Sequence, residues 1–77
     1  MSISVRFFAS LRENLGLEQL TLAPPTPLSV AEVWQLATAN AEYPSGTLAA
    51  VNMTYADLEH AVTSGDEVAF FPPVTGG

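Results

Sequence analysis

The stretch "GDEVAFFPPVTGG", residues 65–77, decides how this chain is read. Behind the turn signal "TSGD" at 63–66, Val68 and Phe70 alternate with Ala69 and Phe71, the two-residue period of a half-buried strand. Pro72 and Pro73 cannot continue a hydrogen-bonded central strand, and they hold the backbone extended, so the chain is expected to leave the sheet here as a stiff arm. Residues 72–77 could reach roughly 20 Å at ~3.3 Å per residue. Val74 and Thr75 lead to Gly76 and Gly77, which have no side chains to pack and make the slimmest tip a chain can offer to a narrow channel. The expected organisation is a folded domain over 1–71 and a flexible Gly-Gly tail over 72–77 that presents a carboxylate.

The start of the chain answers its end. In "ISVRFF", residues 3–8, Ile3, Val5 and Phe7 fall on one face and Ser4, Arg6 and Phe8 on the other. Next, Ser10 stands three residues before Glu13 in a capping-box spacing and Gly16 sits where a left-handed stop belongs, which predicts a short helix with Arg12 close to Phe8. "LEQLTLA" reads as a second strand, ended by the prolines at 24, 25 and 27. Ser29 and Glu32 repeat the capping box, and Val30, Val33, Trp34 and Ala37, with Leu36 beside them, recur at helical spacing, predicting the main helix from 30 to about 40. "EYPSG" closes it. "TLAAVN" is a third strand, followed by a looser stretch with Tyr55, Leu58 and Val62 before the final strand. This order predicts an α+β roll, a mixed sheet packed on one main helix, with the first and last strands side by side in the centre.

Composition removes several functions. The 77 residues allow one core and no second domain, and 48% hydrophobic against 13% charged residues places the chain among globular proteins. No apolar run approaches the ~18 residues of a membrane span, and the N-terminus lacks the pattern of a secretion signal, so a cytoplasmic location and no membrane contact are expected. A net charge of −6 is the wrong sign for a phosphate backbone, so no nucleic-acid partner is expected. Without cysteine or lysine, the chain has no thiolate nucleophile, disulfide or Schiff-base chemistry of its own, and its single histidine, His60, cannot build a metal site. No metal ligand set and no bound cofactor are expected.

What remains is a surface and a tip. The alternation turns Phe8 and Phe71 away from the core, and with Tyr55 nearby and Arg12 at the rim they have the composition of a protein interface. A free carboxylate at Gly77 is a poor electrophile. Adenylated by a partner, its acyl carbon can accept sulfur, which would let a chain without cysteine carry it as a thiocarboxylate.

"GDEVAFFPPVTGG", with "LAAVN" upstream and "VRFFASLRE" at the start, resembles the small subunit of molybdopterin synthase, the MoaD family of ubiquitin-like sulfur carriers. The resemblance spans the chain. It implies a β-grasp, ubiquitin-like fold and no enzymatic activity of the chain alone. It implies that Gly77 is adenylated by a MoeB-like enzyme using ATP and Mg2+, making the carrier transiently a nucleotide-bearing phosphoprotein. A persulfide donor then converts the glycyl adenylate to a thiocarboxylate. The tail, from Pro72 and Pro73 through Val74, Thr75 and Gly76, would enter the large subunit, MoaE, whose catalytic groups complete the dithiolene of molybdopterin on precursor Z (cyclic pyranopterin monophosphate). Phe8, Tyr55 and Phe71 match the family's hydrophobic docking patch and Arg12 its charged rim, in an assembly of two small and two large subunits. Two other readings stay open: a ThiS-like carrier for thiamine thiazole synthesis, which is not expected to carry "FFPPV", and an interaction module that never reacts.

Overall fold

The computed structural model describes residues 2–73; Val74, Thr75, Gly76 and Gly77 lie outside the described residues, and with them most of the predicted tail. Nine elements follow in order: β1 (Ile3–Phe7), α1 (Ala9–Leu15), β2 (Gln19–Leu22), β3 (Leu28–Ser29), α2 (Val30–Thr38), β4 (Leu48–Val51), β5 (Thr54–Ala56), β6 (Ala61–Val62) and β7 (Glu67–Phe71). The five-stranded sheet has the order β2-β1-β7-β4-β5, and β3 pairs with β6 in a separate two-stranded ribbon. β1 and β7 run parallel at the centre, with Val5 opposite Val68 and Phe7 opposite Phe70, as their matching alternation predicts. The other pairings of the large sheet are antiparallel, so it is mixed.

One face of this sheet is the core. Ile3, Val5, Phe7, Val68 and Phe70 are buried against Val30, Val33 and Trp34 of α2. Phe7 stacks on Phe70 with centroids 5.7 Å apart, and Trp34 meets both rings edge-on at 5.8 and 5.1 Å, the offset geometries that aromatic quadrupoles favour. The Trp34 indole donates to the Ala41 carbonyl at 2.7 Å, so its one polar atom is satisfied inside the core.

α2 is capped as its sequence dictates. The Ser29 hydroxyl accepts from the Glu32 N–H at 3.1 Å, and the Glu32 carboxylate accepts from the Ser29 N–H at 2.8 Å. The same spacing at Ser10 and Glu13 does not make a cap. Phe8 occupies the N-cap of α1 with no side-chain bond, because its own N–H still pairs with the Phe70 carbonyl at 3.1 Å and the helix begins directly after it. Ser10 therefore falls inside the first turn. Gly16 does close α1 in the left-handed conformation, at φ 69°. Leu36, placed beside the packing stripe of α2, is exposed, since at about 100° per residue it points well away from Trp34 and off the face that meets the sheet. The looser stretch contains two short strands that its residues do not announce, β5 and β6.

A candidate docking groove on the outer sheet face

The outer face of the same strands builds the candidate site. Register brings Arg6 of β1 beside Ala69 of β7, Ala69 beside Ala50 of β4, and Ala50 beside Tyr55 of β5, a single row across four strands. Two alanines in the middle of that row make a low floor, and larger side chains stand around it. The result is a groove of about 380 Å³ lined by Phe8, Met53, Tyr55, Phe71, Arg6 and Glu67 over Ala50 and Ala69. Phe8 and Tyr55 each meet Phe71 edge-on, at 6.3 and 5.8 Å, so the three aromatics predicted from the sequence form one cluster. Phe8 is 39% and Tyr55 70% exposed, which leaves this apolar cluster facing solvent.

Arg12 stands elsewhere. Its backbone N–H donates to the Phe8 carbonyl at 3.4 Å on α1, but it is not among the residues that line the groove. The guanidinium there belongs to Arg6, 5.7 Å from the centroid of the Phe8 ring and within 3.9 Å of the Glu67 carboxylate. Both partners are a little under half exposed and 3.9 Å apart, so this ion pair adds little to stability and leaves its charges within reach of a partner. Arg6 was legible as an outward residue of β1, yet only the register of the sheet shows that it overlooks the aromatics.

Met53 is the other lining residue the sequence did not announce. It is 93% exposed at the tip of the β4–β5 hairpin, where Asn52 and Met53 take φ values of 51° and 71°. Positive φ at both central residues is the mark of a type I′ turn. Asn52 is held from several sides: its amide donates to Asp66 at 2.9 Å, its side-chain oxygen accepts from the Glu67 N–H at 2.9 Å, and its own N–H donates to the Glu67 carbonyl at 2.8 Å. The Asp66 carboxylate also accepts from the Thr63 N–H at 2.9 Å. That backbone bond first, then the Asn52 amide, draws the Asp66 carboxyl below its usual range. The network ties the hairpin to the turn before β7 and so fixes where Met53 stands.

Among the described residues there is no group of three or more His, Cys, Asp or Glu side chains placed to hold a metal ion, and no helix long and apolar enough to cross a membrane. What the outer face can do chemically is bind. The predicted reacting residue, Gly77, and its neighbours 74–76 lie outside the described residues, while Pro72 and Pro73 follow directly from Phe71, whose ring lines the groove.

Comparison with known proteins places the chain in a family. Residues 5–77 match the model of the ThiS family. The chain is 42% identical over 84 aligned positions to the molybdopterin synthase sulfur carrier subunit of Escherichia coli, covering 97% of this chain and 99% of that protein. Among solved structures it is similar to small archaeal modifier protein 1 (SAMP1) of Haloferax volcanii, with a TM-score of 0.83, 25% identity and full coverage of both chains. It also shares the fold of a chain in the complex of subunits 1 and 2 of the molybdopterin-converting factor of Helicobacter pylori, with a TM-score of 0.68, 23% identity and full coverage of both chains. The fold is the ubiquitin-like β-grasp that the resemblance implied. The chain belongs to the ThiS family, and relatives that it matches over nearly its whole length are sulfur carrier subunits of molybdopterin synthase.

Proposed function

We propose that this chain is the sulfur-carrying small subunit of molybdopterin synthase, docking through its outer sheet face and reacting at Gly77. The observation that carries the reading is the continuity of β7. The strand that lines the groove with Phe71 leads directly into Pro72 and Pro73, and Gly76 and Gly77 follow in the sequence, which favours a partner seated on the groove as the one that takes up the tail. The identity to the Escherichia coli carrier favours the molybdopterin pathway over thiazole formation.

The chemistry is the one the family resemblance implies, with the sulfur carried on the Gly77 carboxylate; a chain without cysteine offers no thiol of its own for it. Attack of the Gly77 carboxylate on ATP, with Mg2+ held by a MoeB-like enzyme, gives a glycyl adenylate and pyrophosphate. A persulfide then attacks the acyl carbon, AMP leaves, and a thiol cleaves the S–S bond reductively to leave the thiocarboxylate. In the large subunit this sulfur passes to precursor Z, and water returns the carrier to its carboxylate. The catalytic groups belong to the MoaE-like subunit, in an assembly of two small and two large chains in the cytoplasm, where ATP is at hand. Phe8, Tyr55 and Phe71 anchor the docking, Met53 and Arg6 extend it, and Arg12 on α1 contacts the partner beyond the groove.

Intact-mass spectrometry of the chain co-expressed with its activating enzyme tests this reading. Exchange of oxygen for sulfur should add about 16 Da, confined to the C-terminal peptide and abolished by deletion of Gly77, with the melting temperature of the deletion variant unchanged. A chain that gains no mass, or that still gains it without Gly77, contradicts the reading.

A further inference from the structure

The root of the tail passes close to a turn of the fold, with Pro73 itself exposed. Pro73 lies against the turn at residues 44–47, where the Thr47 N–H donates to the Pro44 carbonyl at 3.1 Å and Gly46 takes a φ of +82°, the value required of the third residue in a type II turn. This turn is tied to the core. The Tyr43 hydroxyl donates to the Thr47 carbonyl at 3.1 Å, and the Tyr43 ring meets Trp34 edge-on at 4.9 Å and Phe70 at 6.2 Å. A Cβ at Gly46 would stand 3.2 Å from Pro73 Cγ and 3.3 Å from Pro73 Cβ, closer than the ~3.5–4.0 Å of ordinary carbon contact. With the turn fastened to the aromatic core, the proline ring is the group that would have to move. Gly16 and Gly65 also have positive φ, +69° and +93°, but a Cβ on either meets nothing within 4 Å. Among the described residues, Gly46 combines the backbone requirement with the close approach.

We propose that Gly46 is a positioning residue for sulfur transfer: it seats Pro73, so that the tail leaves the fold in one direction from the end of the docking groove. The proposal rests on the carrier reading above. Seating Pro73 takes away freedom that a partner's channel would otherwise have to remove on docking. Reacting atoms tolerate little misplacement, so unseating the root should slow transfer without loosening the docked complex.

The built-in controls make this testable. Gly46→Ala and Gly46→Leu are compared with Gly65→Ala and Gly65→Leu, which share the positive-φ strain but touch nothing. Each carrier is converted to its thiocarboxylate, its dissociation constant for the large subunit is measured by calorimetry, and its single-turnover sulfur transfer is followed at saturating large subunit. The transfer rate should fall about threefold for Gly46→Ala and about tenfold for Gly46→Leu, with the dissociation constant changed by less than about twofold and the Gly65 pair close to wild type. Should the leucine variants fail to fold, the alanine pair still decides. Gly46 variants that transfer as fast as their Gly65 counterparts overturn the seat and leave the carrier reading intact. So do Gly46 variants whose binding weakens as much as their rate falls, since Gly46 would then be part of the docking surface. A wild-type chain that gains no sulfur overturns the carrier reading, and this proposal with it.

Discussion

Phe7 and Phe8 are neighbours in the chain, as are Phe70 and Phe71, and each pair is divided between two different tasks. Phe7 and Phe70 are buried and stack at 5.7 Å in the core, while Phe8 and Phe71 meet edge-on at 6.3 Å on a face open to solvent. The inner pair is covered by Trp34 of α2. The outer pair is covered by nothing among the described residues and looks onto a groove floored by alanines. The lesson is that a strand's two-residue period can give one face to the core and, with the same residue type, leave an aromatic surface open on the other.

The comparison breaks most visibly at Phe70. Phe70→Ala removes a ring that touches Phe7, Trp34 and Tyr43 and should cost about 3 to 5 kcal/mol of folding free energy in denaturant melts. Trp34→Phe tests the polar side of the same core. It leaves the Ala41 carbonyl without its donor and should cost about 2 kcal/mol, read from the same melts. In the opposite direction, the Thr47 hydroxyl is buried with no hydrogen-bond partner, so Thr47→Val should raise stability by about 1 kcal/mol. The smallest effect concerns the brace behind the groove. Asp66 titrates below its ordinary range in the folded state, held there by Thr63 and Asn52, so its contribution is present above the unfolded carboxylate value and is lost as pH falls below about 4. Asp66→Asn should remove that contribution, so the variant should melt slightly below the wild type at neutral pH and the gap should close as pH falls below about 4.

Much of this was legible in the sequence, and the failures are physical. The β1 and β7 alternation, the Ser29–Glu32 cap and the Gly16 stop were all readable, because each is a local rule that the fold does not contest. The same capping spacing at Ser10 failed because β1 continues its pairing through Phe8 and leaves no room for a cap before the helix. β5 has only three residues and enters through an Asn-Met turn rather than Asn-Gly, so neither its length nor its turn signalled a strand. At the groove, Phe8, Tyr55 and Phe71 could be found from the alternation and the resemblance. Arg6 and Met53 could not, since one depends on which strand lies beside β1 and the other on a backbone conformation that methionine seldom adopts.

The division between the two faces is tested most directly by Phe71→Ala, measured both ways: calorimetric titration against the large subunit and thermal melting of the variant alone. The account predicts binding weakened by about 1 to 3 kcal/mol, as for an aromatic anchor at an interface, with a melting temperature close to that of the wild type. A variant that melts like Phe70→Ala while binding the large subunit with undiminished affinity would contradict it.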